Sequence, residues 1–123
     1  MKNYLAIFTG SPQSSSGTKW EAMNAAARAK AEAAGMKGWQ EWAEKNHASL
    51  VQMGAPLGKT KRVGPEGVSD ITNAMCAYAV VQASSHDAAA KLFLNHPHFA
   101  IFPGDGVEIM ECLAIPGMLE KKS

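Results

Sequence analysis

The residues best suited to chemistry lie in the last third of the chain, where two histidines flank a proline. His96 and His98 place two imidazoles at the predicted end of a helix, and Glu108 follows on a predicted strand. An unperturbed imidazole titrates near neutral pH, so it takes up and returns a proton under ordinary conditions. The segment 84–113 is therefore the candidate region for general acid/base catalysis.

A structural role explains the same histidines in another way. A cationic His96 at a helix C-terminus would be stabilised by the negative end of the helix dipole, with His98 hydrogen-bonded nearby. A metal site is disfavoured, because two histidines need a third ligand and no second cluster stands at a recognisable spacing. We therefore expect no metal, and the sequence leaves the catalytic and the structural interpretations of the histidines open.

Two glutamates on the last predicted strand could supply a carboxylate to the same site. Glu108 and Glu111 are three residues apart, so on a strand they point to opposite faces of the sheet. A carboxylate that points inward must be paired or protonated. The sequence does not decide which of the two points inward, and a glutamate in water at the sheet edge is the competing interpretation.

Aromatic and basic residues elsewhere are candidates for ligand contacts. Trp39, Trp42 and Tyr78 could line a pocket for a flat ligand, although packing in the core explains the tryptophans as well. The basic run 59–62 favours a solvated edge strand, and it could also meet an anionic substrate.

Composition narrows the class of protein. The chain has 123 residues, a formal net charge of +1 and 46% hydrophobic residues, which is typical of a single folded domain. Nucleic acid is a poor partner, because phosphate binding needs a broad basic surface. No apolar run approaches the length of a membrane span, so we expect no membrane contact and a cytoplasmic location. Phosphate-cradling loops, nucleophile elbows and redox dithiols are absent from the sequence, and we expect no cofactor.

The predicted elements alternate between strands and helices. Strands are expected at 2–9, 59–63, 75–83 and 107–113, helices at 19–34, 38–53 and 84–96, and a flexible loop at 13–17. The predicted helix stops are Gly35, Gly54 and Pro97. Cys76 and Cys112 fall on strands that the first strand should separate, so we expect both to stay reduced and unpaired.

This order predicts an α+β fold of the split βαβ, ferredoxin-like kind, with a four-stranded antiparallel sheet and an expanded first helical crossover. Residues 1–115 would form a single domain, and residues 116–123 a C-terminal tail. Because helices would cover one sheet face, the other apolar face needs a partner, and a second copy of the chain is the simplest one.

The chain resembles the YCII-related family of the dimeric α+β barrel superfamily. The resemblance covers almost the whole chain and comes in the family's order, through residues 4–7 (YLAI), 38–42 (GWQEW), 54–57 (GAPL), 77–83 (AYAVVQA), 96–97 (HP) and 107–109 (VEI). It implies a homodimer whose two sheets close into a barrel, and a cleft between sheet and helices. For some members a histidine and an aspartate are proposed as an acid/base pair. Relatives often have an aspartate just before the residue that matches Gly54, where this chain has Gln52 and Met53.

Three hypotheses follow. The first is an enzyme that uses cofactor-independent general acid/base catalysis on a small organic molecule, with His96 moving the proton and His98 or Glu108 assisting. The second is a non-catalytic small-molecule-binding or regulatory dimeric module. The third is a structural dimerisation unit. The sequence identifies neither the ligand nor the reaction.

Overall fold

The protein is built from one antiparallel sheet with helices on one face and a separate hairpin. The computed structural model describes residues 1–11 and 15–116. In chain order the elements are β1 (Lys2–Thr9), α1 (Ser15–Ala22), α2 (Ala25–Lys45), β2 (Leu50–Pro56), β3 (Thr60–Gly64), β4 (Gly67–Ile71), β5 (Met75–Ala83), α3 (His86–Lys91), α4 (Pro97–Ala100) and β6 (Gly106–Glu111), with a short 3-10 turn at His47–Ser49.

The main sheet has the order β2-β5-β1-β6, and each neighbouring pair is antiparallel. β1 and β2 are joined by α1 and α2, and β5 and β6 by α3 and α4. Two such strand–helix–strand units with interleaved strands make the ferredoxin-like α+β fold. The predicted fold class and the expanded first crossover are confirmed. β1 also lies between β5 and β6, as the expected strand order requires.

Helices cover one face of the sheet, and the other face is open. Along β1 the burial alternates, with Tyr4, Ala6 and Phe8 buried and Leu5 and Ile7 half-buried. The buried set forms the core, against which half-buried residues of the helices pack. The opposite face carries a set of half-buried or exposed apolar side chains on three adjacent strands, Leu5, Ile7, Val80 and Met110.

The first crossover departs from the predicted helix limits. The expected helix 19–34 is divided, because the Asn24 side chain accepts a hydrogen bond from the Ala27 N–H (2.8 Å) and starts α2 there. Gly35 is not a stop but a buried residue inside α2, where a Cβ would overlap the Phe102 ring. Its role is close packing. The part of the predicted 13–17 loop from residue 15 onwards belongs to α1, and residues 13 and 14 lie outside the described residues.

The predicted helix 38–53 and the predicted edge strand 59–63 are wrong in position. α2 ends at Lys45, and the next residue, Asn46, donates from its side chain to the Trp42 carbonyl (2.9 Å). The edge strand beside β5 is instead β2, whose Leu50 packs against the core. β3 instead pairs with β4 in an isolated two-stranded hairpin.

Apart from its first residue, the predicted tail 116–123 lies outside the described residues.

Candidate active site

The two histidines lie on a short connection between α3 and β6 that is shaped by local sequence. Ser85 caps α3 by accepting from the Ala88 N–H (3.0 Å), so the helix runs over His86–Lys91 and not over the predicted 84–96. Asn95 then takes a positive φ of 58°, which redirects the chain. Pro97 does not end a helix but occupies the first turn of α4, where its fixed φ suits the helix and its missing N–H costs nothing. His96 thereby becomes the N-cap of α4.

His96 is sealed inside the protein. Its side chain is 0% exposed, and its Nδ1 accepts a hydrogen bond from the His98 main-chain N–H (3.0 Å). Because Nδ1 accepts, the neutral ring carries its proton on Nε2. Among the described residues this Nε2 has no hydrogen-bond partner. The surrounding rings are those of Trp39 (4.5 Å between centroids), Trp42 (4.7 Å), Phe8 (5.0 Å) and Phe93 (5.9 Å).

The charge state of His96 follows from this enclosure. Burial, with a smaller contribution from neighbouring His98, lowers the pKa of His96 to about 4, so the ring is neutral at neutral pH. The alternative of a cationic His96 at the negative end of a helix dipole is therefore wrong. The residue stands at the amino end of α4, where a neutral acceptor satisfies a main-chain N–H.

His98 has a different environment, although it is two residues away. It is 7% exposed, and its Nε2 lies 2.7 Å from the Thr9 carbonyl oxygen. A carbonyl only accepts, so Nε2 carries the proton and Nδ1 keeps the lone pair of the neutral ring. Burial lowers the pKa of His98, while the Thr9 hydrogen bond and the charge of Asp105 act in the opposite direction. Gly104 packs against the ring so closely that a Cβ there would overlap it.

Two cavities meet at His98. The larger is an open cleft of about 790 Å³ between α2 and the β2–β5 edge of the sheet. The smaller, of about 370 Å³, lies toward α1 and the loop before β6. His98, Cys76 and Phe102 line both cavities. In the described part of the chain His96 lines neither of these two cavities. Of the two histidines, therefore, His98 is the one beside space for a ligand.

The other predicted site residues are spread over three places. Trp39 lines the large cleft. Tyr78 on β5 borders the same cleft, but its pairing with Ile7 puts its side chain on the sheet face away from the helices. Trp42 packs against the core, and its Nε1–H donates to the Leu92 carbonyl (2.7 Å). Glu108 is exposed and pairs with Ile7, so it stands on the sheet face away from the helices and is not brought together with the histidines.

The strand register also places the second glutamate. Glu111 pairs with Tyr4, which puts it on the helix side of the sheet, and it forms an ion pair with Lys2 (3.3 Å). It is therefore a paired carboxylate at one end of the sheet. The structure supplies neither glutamate as a neighbour of the imidazoles.

Sequence reasoning missed the residues that surround His98. In the segment 103–106, Asp105 donates its main-chain N–H to the Thr9 carbonyl that His98 also uses (2.8 Å). The charge of Asp105 acts on two groups, His98 and Cys76. Burial first, and then Asp105, raises the pKa of the Cys76 thiol. The sequence Pro-Gly-Asp-Gly at 103–106 predicts a turn, but only the fold shows that this turn lies beside β1.

Within residues 1–11 and 15–116, the structure contains no group of three or more His, Cys, Asp or Glu side chains arranged to hold a metal ion. Cys76 is half-buried and Cys112 exposed, and both are free thiols. None of the described helices has the length and apolar character needed to cross a bilayer.

No protein-family model matches the chain, and no curated protein matches it in sequence. The resemblance to the YCII-related family therefore stays a prediction. Among solved structures the chain is similar to 5-chloro-2-hydroxyhydroquinone dehydrochlorinase from Burkholderia phenoliruptrix, in complex with 2,5-dihydroxybenzoquinone. The match has a TM-score of 0.47 and 16% identity, and it covers 87% of this chain and 89% of that one. Similarity at this level does not carry an activity from one protein to another.

Proposed function

We propose that this protein is a small-molecule enzyme that uses cofactor-independent general acid/base catalysis, with His98 as the group that moves the proton. The observation that carries the proposal is the position of His98, a nearly buried imidazole on the wall shared by two cavities. The sequence favoured His96 for this role. Because His96 is fully buried and lines neither cavity in the described part of the chain, we propose its neighbour His98 for the proton transfer instead.

The proposed mechanism uses both ring nitrogens of His98. The lowered pKa keeps the ring neutral at neutral pH, so its Nδ1 accepts a proton from a C–H or O–H group of the ligand. The imidazolium that forms still donates from Nε2 to the Thr9 carbonyl, and the nearby negative charge of Asp105 stabilises it. The same nitrogen then returns the proton to the product, and no redox or covalent step is needed.

His96 is a positioning residue in this proposal. By accepting the His98 main-chain N–H, it fixes the backbone from which the catalytic ring projects. Its enclosure by aromatic rings keeps that acceptor rigid. Glu108 has no role in the mechanism, because it stands on the other face of the sheet.

The test compares His98→Gln with His47→Gln. Glutamine at position 98 keeps an N–H donor for Thr9 and removes the Nδ1 lone pair, whereas His47 is exposed on the 3-10 turn and serves as a matched control. A metabolite library is screened by thermal shift, and NMR then follows each hit for turnover. We expect His98→Gln to lose about 100-fold or more in turnover while the control keeps it. Equal turnover in parent and His98→Gln would overturn the assignment.

The alternative is a non-catalytic binding or regulatory module. The observation in its favour is the apolar character of the large cleft, where Trp39, Met36, Met53 and Phe102 provide packing rather than chemistry. The same screen separates the two functions. Hits that bind but stay chemically unchanged after prolonged incubation with the parent protein would favour the binding module.

We also propose that two copies pair through the open face of the sheet. This face presents Leu5, Ile7 and Val80 on adjacent strands, and a net charge near zero does not oppose self-association. Val80→Glu would place a charge at its centre, whereas Val68→Glu changes an exposed valine on the hairpin. We expect dimers for the parent and Val68→Glu, and monomers for Val80→Glu, in sedimentation at micromolar concentration. A monomeric parent would contradict the proposal.

A further inference from the structure

We propose that the ligand of the large cleft is a flat, ring-containing molecule without negative charge, neutral or cationic, and not a carboxylate or phosphate. This inference rests on the proposed use of the cleft as the binding site, and it goes further by naming the chemical class of the ligand. Three observations support it: the charges at the cavity walls, the aromatic surface exposed in the cleft, and the position of the basic run 59–62 outside the two cavities.

The charges at the walls are all of one sign. Among the described residues that line the two cavities, the carboxylate side chains are Glu44 in the large cleft and Glu21 in the small one, and lysine and arginine do not occur. The cleft therefore offers an anion no cationic partner. An anion that leaves water without such a partner loses hydration free energy that nothing replaces. A cation would instead meet a carboxylate at the rim.

The apolar surface of the cleft suits a ring. Trp39 is held in place by the rings of Phe8 (5.1 Å) and Phe102 (6.4 Å), so its half-buried indole is ordered before a ligand arrives. Met36 on α2 and Met53 on β2 are each more than half exposed at the cleft, and thioethers adapt to aromatic faces. An indole face also attracts a cation. Stacking and cation–π contacts are thus both available.

The basic run 59–62 was the sequence feature that could have served an anionic substrate. The structure places it in and just before β3, in the separate hairpin, and none of its residues lines either cavity in the described part of the chain. Lys61 pairs with Asp70, and Arg62 lies 3.8 Å from Glu66. These cations are therefore engaged away from the cleft.

Three naphthalene probes with the same ring test the inference on the parent protein. They are 2-naphthol (neutral), 2-naphthylmethylammonium (cationic) and 2-naphthoate (anionic), titrated at pH 7 with tryptophan fluorescence and confirmed by calorimetry. We expect the neutral and cationic probes to bind at least about tenfold more tightly than the carboxylate, which corresponds to about 1.4 kcal/mol. Binding of 2-naphthoate as tight as that of the other two would overturn the inference.

Variants locate the binding and separate it from catalysis. Ala43→Trp fills the cleft and should abolish binding of all probes; unchanged binding would overturn the inference. Gln40→Lys, on the cleft wall, should shift the preference toward 2-naphthoate, whereas Ala33→Lys, an equal charge change on an exposed site of α2, should not. Equal shifts for both lysines would also overturn it. These titrations measure binding and the His98→Gln experiment measures turnover, so a failure of one proposal can be distinguished from a failure of the other.

Discussion

His96 and His98 are identical side chains two residues apart, and their surroundings differ. His96 is fully buried among aromatic rings, and among the described residues its ring makes one hydrogen bond, in which Nδ1 accepts from the His98 main-chain N–H. His98 is tied to β1 through the Thr9 carbonyl and borders two cavities. The first region is closed to any ligand, and the second is open to one.

The difference teaches that a cluster of chemically capable residues need not act as one unit. The His96 region supplies rigidity, since its rings are packed from β1, α2 and α3–α4. In the proposed mechanism the His98 region supplies the imidazole that exchanges a proton with the ligand, through Nδ1, while Nε2 is bonded to the Thr9 carbonyl. Experiments that perturb one region and leave the other unchanged test this division.

The largest expected effect is the loss of stability on acidification through His96. The unfolded chain holds this imidazole at its ordinary pKa of 6.5 and the folded protein at about 4, so the unfolded state takes up the proton first as the pH falls. The stabilisation is complete above pH 6.5 and is lost between pH 6.5 and 4, by about 3 kcal/mol. Urea unfolding of the parent and of His96→Asn across this range measures it.

Asparagine at position 96 keeps a side-chain acceptor for the α4 cap but does not titrate. Its unfolding free energy should therefore decline less between pH 7 and 4 than that of the parent, while His47→Gln should follow the parent. If His96→Asn and the parent lost the same stability over this range, the neutral buried state of His96 would be refuted.

A smaller effect is expected from Gly104→Ala in the His98 region. The new Cβ would overlap the His98 ring and displace it from Thr9, at a cost of about 1–3 kcal/mol. Gly106→Ala, two residues later, meets no atom within 4 Å and is the matched control. Denaturant unfolding measures the cost, and the probe titrations report on the cleft. A Gly104→Ala protein as stable as Gly106→Ala would show that the close packing on His98 is unimportant.

The smallest effect is expected from Trp42→Phe in the His96 region. Phenylalanine keeps an aromatic ring but loses the Nε1–H donor to the Leu92 carbonyl, which costs about 1 kcal/mol. Because Trp42 does not line the two cavities in the described structure, the affinity for 2-naphthol should stay within about twofold of the parent. A large loss of probe affinity without loss of stability would contradict the separation of the two regions.

The sequence predicted the fold better than it predicted the division of the site. The apolar runs of β1 and β5 sufficed to predict the core strands, and the His-Pro-His cluster marked the candidate site. Residues 50–53 were wrongly assigned to a helix, because Leu50 and Val51 continue the helical spacing and Asn46 gives only a weak stop signal. The different surroundings of His96 and His98 depend on contacts with Thr9, Trp39 and Gly104, which the sequence pattern does not predict and only the fold creates.

The central claim, a sealed His96 beside a chemically available His98, is tested most directly by NMR of the imidazole nitrogens in ¹⁵N-histidine-labelled protein at pH 7. We expect both rings to be neutral and to carry their proton on Nε2, and we expect 2-naphthol to perturb the Nδ1 signal of His98 more than either nitrogen of His96. A charged His98 at pH 7, a proton on its Nδ1, or an equal response of both histidines to the probe would contradict the account.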